Sequence, residues 1–502
     1  MARHEIGTNV NRGLAWVGVA SSLVGLLDML ALLIILAFWV PAEQYGIATK
    51  AVWIFPILDQ ATDLGLSAAV IQRDNHDRDT ISTVFWLNLL IALVLFAALM
   101  VGAPILATSF YGHAVVGSML MVYGTKLIWQ NVYVIPWALM KKELRFKELS
   151  IVRLVANTAE FAGKVGFAAT GFGVWCFVIG PLCRVIVTGV GIQICHPWRP
   201  RFVLKLRQSW DYATFGVKTG ASQILFYFYT NVDYPIVGYY FGDAALGIYR
   251  LAYEVVLEPV RVISHVVVDI AFPTFARLRL KRDELIAQFI SFTRLNLITV
   301  MLYSAVVFVT ADDLIALLFP KYIGAASVIR ILCGVAILRS VSFVVPPLLD
   351  GTGHPSRTFV YTLTAAVTLP LTFLLCASLL GDSLGFKAVA VAWAIGYPIA
   401  FAVLIMLAVY TLEYPLGKFL RAVIGVPVCA VAATVVGLGV ELALAGAPAA
   451  ARLVSATAAI VGVFGMLLAY TQGLSIRGAM KALRAEPPTA PAPPPSQADG
   501  SA

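Results

Sequence analysis

The sequence predicts an all-α integral membrane protein of about fourteen transmembrane helices, in two six-helix lobes around a central cavity with two more helices at the C-terminal end. Three observations predict it. The 502-residue chain is 60% hydrophobic and 13% charged, with a mean hydropathy of +0.86, well beyond the ~45–50% apolar content of soluble domains. Apolar runs of about 20 residues, the length that crosses the hydrocarbon, recur from near the N-terminus to residue 472 and leave no room for a sizeable soluble domain. Similar short segments also recur about two hundred residues apart.

Residues 1–12 are polar, and the apolar run after them is long enough to span and stay, so no cleavable signal is expected. Between polar or Gly/Pro punctuation, spans are expected at 13–40, 45–72, 81–108, 114–139, 150–170, 174–196, 210–240, 245–275, 291–311, 323–349, 356–380, 385–411, 419–444 and 450–472. This divides the chain into a cytoplasmic N-terminus (1–12), an N-lobe (13–196), a basic linker (197–209), a C-lobe (210–411), two final spans (412–472) and a tail (473–502). The tail is rich in Pro and Ala and reads as disordered.

The repeat is carried by "YGIATKAVWIFP" (45–56) and "LGIYRLAYEVVLEP" (246–259), each with Gly-Ile, a basic residue soon after, and a closing Pro. "PILATSFYG" (104–112) and "LIALLFPKYIG" (314–324) match in the same way. Because spans two and eight run in one direction, the repeat is parallel, with its axis along the membrane normal.

The net charge of +9 points to membrane orientation, not nucleic acid, because Lys and Arg gather in alternate short loops. "MKKELRFKEL" (140–149), "HPWRPRFVLKLRQ" (196–208), "RLRLKRDEL" (277–285) and "SIRGAMKALR" (475–484) are basic, whereas 40–46, 170–173 and 242–247 hold no Lys or Arg. The basic set is expected to be cytoplasmic, with both termini inside. Cys176, Cys183, Cys195, Cys333, Cys376 and Cys429 lie in apolar segments without CxxC spacing, so no metal site or disulfide framework is expected.

Charges deep in the spans carry the functional signal. A charge at the centre of a lipid-facing helix costs roughly 2.5–3.5 kcal/mol even on lenient scales. The embedded set includes Asp28, Lys50, Asp59, Asp63, Lys126, Glu160, Lys164, Arg184, Asp233, Arg250, Glu254, Glu258, Arg261, Asp269, Arg330 and Arg339, which must face protein or water. Glu160/Lys164, Arg250/Glu254 and Glu258/Arg261 have the spacing of pairs on one helix face, so local pairing and a cavity role both stand for them. Lys126, Arg184, Arg330 and Arg339 have no such partner in their own helices and need a wet cavity or a partner across helices. Asp59 and Asp63 lie one turn apart with like charge, which suits a proton or cation site or pairing with basic neighbours. A polar interior in a many-span chain with short loops marks a solute pathway.

Several stretches together carry a family resemblance: "LDQATDLGLSAAVIQRDNHDRDTISTVFWLNLL" (58–90), "IPWALMKKELRFKELSIVR" (135–153), "NVDYPIVGYYFGDAALGIYRLAYEVVLEPV" (231–260), "VDIAFPTFARLR" (268–279) and "PPLLDGTGHPSRTF" (346–359). The chain resembles the polysaccharide transporter family, the Wzx and WzxC-like lipid-linked oligosaccharide flippases of the multidrug/oligosaccharidyl-lipid/polysaccharide (MOP) flippase superfamily. The resemblance implies a non-enzymatic inner-membrane protein that moves undecaprenyl-diphosphate-linked sugar repeat units to the periplasmic leaflet for O-antigen, capsule or exopolysaccharide synthesis. It also implies a monomeric transport unit without cofactors, working beside a polymerase and chain-length or export proteins. Lys50, Lys126, Lys164, Arg184, Arg250, Arg330 and Arg339 are the candidates for a cationic substrate cavity, and Asp28, Asp59 and Asp63 for coupling to a proton or sodium gradient. No GxxxxGK[ST] nucleotide signature is present. Two alternatives remain at this point: a drug/cation antiporter of the same superfamily, and a membrane-embedded glycosyltransferase or polymerase of the cell envelope.

Overall fold

A computed structural model describes residues 20–21, 23–63, 70, 77–205 and 220–472, and all of the regular structure among them is helical. The expected N-terminus and tail, and parts of the first, second and seventh spans and of the linker, lie outside the described residues.

In the N-terminal half, α1 (Leu23–Phe38) leads to α2 (Ala42–Val52) and α3 (Phe55–Asp63). The last two occupy one expected span, interrupted at Trp53 and Ile54, with Pro56 in the first turn of α3, where a missing N–H is tolerated. Next come α4 (Arg78–Ile105), ending in a π-helical turn over Leu106–Tyr111, then α5 (Ala114–Lys142), α6 (Phe146–Ala169) and α7 (Cys176–Cys195). Asp77 caps α4, its carboxylate accepting from the Asp79 N–H.

The C-terminal half holds α8 (220–231) and α9 (Asp233–Leu278), α10 (Arg282–Val309), α11 (Ala311–Leu318), α12 (Ala325–Gly351), α13 (Pro355–Leu384), α14 (Lys387–Leu412), α15 (Leu416–Val423), α16 (Gly425–Ala443) and α17 (Ala449–Gln472). Among the described residues, eight helical segments are long and apolar enough to cross a membrane.

The loop expected at 242–247 is nearly absent. Helical structure continues through it, broken only at Gly242, whose φ of 82° and ψ of −177° suit a residue without Cβ. The chain doubles back there, because the Tyr253 hydroxyl reaches the Thr230 carbonyl and the Tyr249 hydroxyl reaches Asp233.

The two halves meet at the end carrying the basic-poor loops. Lys50 of α2 pairs with Asp243 of α9 at 2.5 Å, and His113, between α4 and α5, reaches the other Asp243 oxygen at 2.6 Å. Lys321 and the Tyr322 hydroxyl donate to the Phe38 and Val40 carbonyls. Backbones touch as well: a Cβ on Gly46 would lie 1.9 Å from the Asp243 carbonyl oxygen, and one on Gly247 would lie 1.8 Å from that of Ala42. At the opposite, basic end, residues 199–205 lie along the start of α4. Arg201 N–H donates to Ser82, Lys205 N–H to Thr83, and the Trp86 indole to the Arg201 carbonyl. The Lys205 ammonium joins Asp77 and Asp79.

Candidate functional site

Within the N-terminal half, helices α3, α5, α6 and α7 bring ionisable groups together where a membrane-spanning bundle would have its dry core. Glu160 is the hub: Lys164, one turn on, pairs with it at 2.7 Å, and Arg184 from α7 reaches its other oxygen at 3.1 Å. This is possible because α6 and α7 approach closely at Gly163 and Gly180. A Cβ on Gly180 would strike the Lys164 stem at 2.4 Å, so glycine opens the path for that side chain.

Beside this hub, Lys126 of α5 pairs with Asp59 of α3, and its ammonium lies 5.3 Å from the Tyr123 ring centre. Asp28 of α1 lies within electrostatic reach of Glu160, Lys164 and Arg184. Three cations thus face three carboxylates from five helices. Asp59 Oδ1 is buried without a hydrogen-bond donor, which leaves acceptor capacity inside the cluster.

Stability does not explain this arrangement. Buried ion pairs roughly break even against apolar replacements, because desolvation offsets the Coulomb attraction. The exposure pattern indicates why the cluster is tolerated: the Glu160 and Lys126 side chains are only 4% and 7% exposed, whereas Arg184, near the middle of α7, is 38% exposed. A guanidinium at that depth needs water or a polar partner in addition to Glu160, and Arg184 is the member of the cluster whose side chain is left partly open.

The other sequence candidates are dispersed. Lys50 belongs to the contact between the halves, with its stem on Gly238 and its ammonium on Asp243. Arg330 has its cross-helix partner in Asp312, at 2.6 Å, and also donates to the Phe308 carbonyl. Arg250 pairs with Glu254, one turn away, and lies over the Tyr234 ring. Arg339 is buried among aromatics in the C-terminal half, donating to the Tyr253 hydroxyl at 2.9 Å with its guanidinium 5.4 Å from the Trp393 ring centre. Asp63 lies at the end of α3, one turn beyond Asp59.

Asp243 was not among the sequence candidates, and Asp233 was noted only as an embedded charge with no role assigned. Asp243 looked like part of an exposed loop, and its signal was its place near Gly247, whose counterpart Gly46 precedes Lys50. Asp233 is wholly buried and is held by neutral donors: the Tyr249 hydroxyl at 2.7 Å, the Trp393 indole at 3.0 Å and the Tyr234 N–H at 3.0 Å. Nothing local in the sequence identifies those partners.

Residues 35–326 match the model of a family described as "Polysaccharide biosynthesis protein". The chain belongs to this polysaccharide biosynthesis family. The chain is 28% identical over 288 residues to the teichuronic acid biosynthesis protein TuaB of Bacillus subtilis, an alignment covering 55% of this chain and 58% of TuaB. It is 24% identical over 353 residues to the lipopolysaccharide biosynthesis protein WzxC of Escherichia coli, covering 67% of this chain and 69% of that one. In fold it is similar to the lipid II flippase MurJ in an inward closed conformation, with a TM-score of 0.72 at 13% identity over 90% of this chain and 98% of MurJ. A multidrug resistance MATE transporter of the MOP superfamily gives a TM-score of 0.61 at 15% identity, over 80% of this chain and 98% of that one. The family is thus one described by polysaccharide biosynthesis, and the fold is the one shared by that flippase and that transporter.

Proposed function

We propose that the protein moves an undecaprenyl-diphosphate-linked oligosaccharide from the cytoplasmic to the periplasmic leaflet of a bacterial inner membrane by alternating access. The observation that carries this reading is the partly exposed Arg184 at the edge of the Lys126, Lys164 and Glu160 cluster. A diphosphate cannot enter hydrocarbon unpaired. Guanidinium and ammonium donors in a wet cavity supply charge-assisted hydrogen bonds to its oxygens, while the prenyl chain stays in lipid. The cations are free to change partners because each is already held by a carboxylate of similar geometry, so substrate replaces one anion by another.

In this reading fourteen helices form two six-helix lobes and a final pair, both termini are cytoplasmic, and the basic-poor end is periplasmic. The reciprocal Gly46 and Gly247 contacts support a pseudo-two-fold relation between the lobes. The contacts at Lys50, His113 and Asp243 then seal the periplasmic side, and the cavity faces the cytoplasm. Asp28 and Asp59, being within the cluster, are the candidates through which a proton or sodium gradient acts on it, with Asp63 one turn away. No cofactor is required. The protein works as a monomer beside a polymerase and export proteins.

Deletion of the gene in a strain without a redundant flippase tests this. Lipid-linked repeat units should accumulate in the cytoplasmic leaflet and surface polymer should disappear, with both restored by the wild-type chain but not by Arg184→Gln. Normal surface polymer in the deletion strain would sink the reading.

A further inference from the structure

At the basic-poor end a second feature lies apart from the charge cluster. A cavity of about 280 Å³ opens on the seam between the halves, lined by Trp53, Leu99, Leu106, Phe110 and Leu120 of one half and Pro235 of the other. Apolar cavities of only ~150 Å³ stay dry and take up small hydrocarbons. Its wall is apolar except at one corner, where the Lys50 ammonium meets the Tyr111 ring, 5.6 Å from its centre, and the Trp53 indole donates to the Tyr111 hydroxyl.

The seam is also where the helix pattern is disturbed. Leu106–Tyr111 form a π-helical turn just after Pro104, and such turns recur at functional sites. Within this turn the Phe110 ring stacks on Tyr239 of the other half, with centres 5.2 Å apart and planes 19° apart. Phe110, which lines the cavity, and Tyr239 are 43% and 62% exposed, so this inter-half pair stands at the open edge of the cavity.

We propose that this seam cavity is a binding site for the polyprenyl chain of a phosphate-headed lipid, with the phosphate at Lys50. The proposal rests on the transport reading for the side of the membrane on which the site lies. The wall is apolar and fits a hydrocarbon chain, exposed aromatic rings of both halves stand at its edge, and the Lys50 ammonium stands at the corner where a headgroup would sit. Lys50 holds Asp243 while the site is empty. A phosphate taking that ammonium competes with Asp243, so chain binding loosens the contact that joins the halves. The cluster around Glu160 is the headgroup site inside the N-terminal half, whereas this site takes the polyprenyl chain together with its phosphate at the other end.

The full-length protein in lipid nanodiscs is irradiated with a diazirine-tagged polyprenyl phosphate or, in parallel, with diazirine-tagged phosphatidylglycerol, and labelled peptides are mapped by mass spectrometry. The polyprenyl probe should label residues 99–120 at least fivefold more than the phosphatidylglycerol probe. Leu120→Trp, which fills the cavity, and Leu106→Trp, at the partly exposed wall where folding tolerates bulk, should each lower that labelling at least fivefold. Lys50→Gln should lower labelling by the polyprenyl phosphate but not by a tagged polyprenol lacking phosphate. Equal labelling by both lipids, or labelling unchanged by both Trp variants, would overturn the site. Absent labelling together with lost surface polymer in the deletion strain would remove this site alone. Site-specific labelling with normal polymer in that strain would remove the transport reading alone.

Discussion

Gly46 and Gly247 occupy reciprocal positions where the two halves cross: each lies against the carbonyl of the residue four positions before the other, Gly46 against Asp243 and Gly247 against Ala42. The two contacts are related by one sequence offset, the same that separates "YGIATKAVWIFP" (45–56) from "LGIYRLAYEVVLEP" (246–259). Helices approach this closely only where Cβ atoms are missing, and the approach brings Lys50 onto Asp243.

Alanine at either glycine therefore meets backbone, not a yielding side chain. Gly46→Ala and Gly247→Ala should each hold the halves apart at this end and cut polymer export at least tenfold without loss of protein from the membrane. Thiol labelling of a cysteine placed at buried Ala48, in a background without native cysteines, reads the opening directly. Labelling as slow as in the parent would show that the seal adjusts.

Glu160 neutralises two cations at once, so its loss should cost more than the loss of either partner. Glu160→Gln should destabilise the protein by about 3–5 kcal/mol, the usual penalty for orphaning a buried charge. Adding Lys164→Met should recover part of this. Thermal unfolding of the purified single and double variants checks both statements. An E160Q/K164M protein less stable than E160Q would contradict the pairing.

Arg184 and Arg330 should separate by function. Arg184→Gln should abolish export with normal membrane levels, because this guanidinium is the exposed edge of the cluster. Arg330→Gln, which breaks the Asp312 contact outside the cluster, should retain most export. Equal loss in the two variants, measured as surface polymer per membrane-inserted protein, would argue against a special role for Arg184.

The linker clamp on α4 should depend on pH. The hydrogen bond from Lys205, reinforced by the Asp79 N–H, holds the Asp77 carboxyl below its usual range. A depressed carboxylate contributes above its unfolded value near ~3.9 and is lost as pH falls through the lower folded value. Cleavage in 199–205 by an acid-active protease should accelerate as pH falls below about 4, and Asp77→Asn should weaken that dependence, leaving the part carried by Asp79. A pH-independent cleavage rate in the parent protein would show that the backbone bonds alone hold the strap.

The membrane class and the positions of helices were legible because lipid imposes a simple rule: apolar runs of fixed length between polar punctuation. The loop at 242–247 was misread because Gly and Asp signal a turn, but not that one residue suffices for it. Of the embedded charges, Glu160/Lys164, Arg250/Glu254 and Glu258/Arg261 were visible as pairs because helical periodicity makes them neighbours. The partnerships of Lys126 with Asp59, Arg184 with Glu160, and Lys50 with Asp243 were not visible, since each joins different helices.

By itself the sequence determined that this chain lives in a bilayer, that charges are buried within it, and which charges share a helix face. The tertiary structure decided which of those charges meet, that Lys50 and Arg330 stand apart from the Glu160 cluster, and that Arg184 is its open edge. The division has a physical cause. Hydropathy and helical period are properties of local sequence, whereas a salt bridge between helices depends on crossing geometry, set here by contacts such as Gly163 with Gly180 and Gly46 with Asp243.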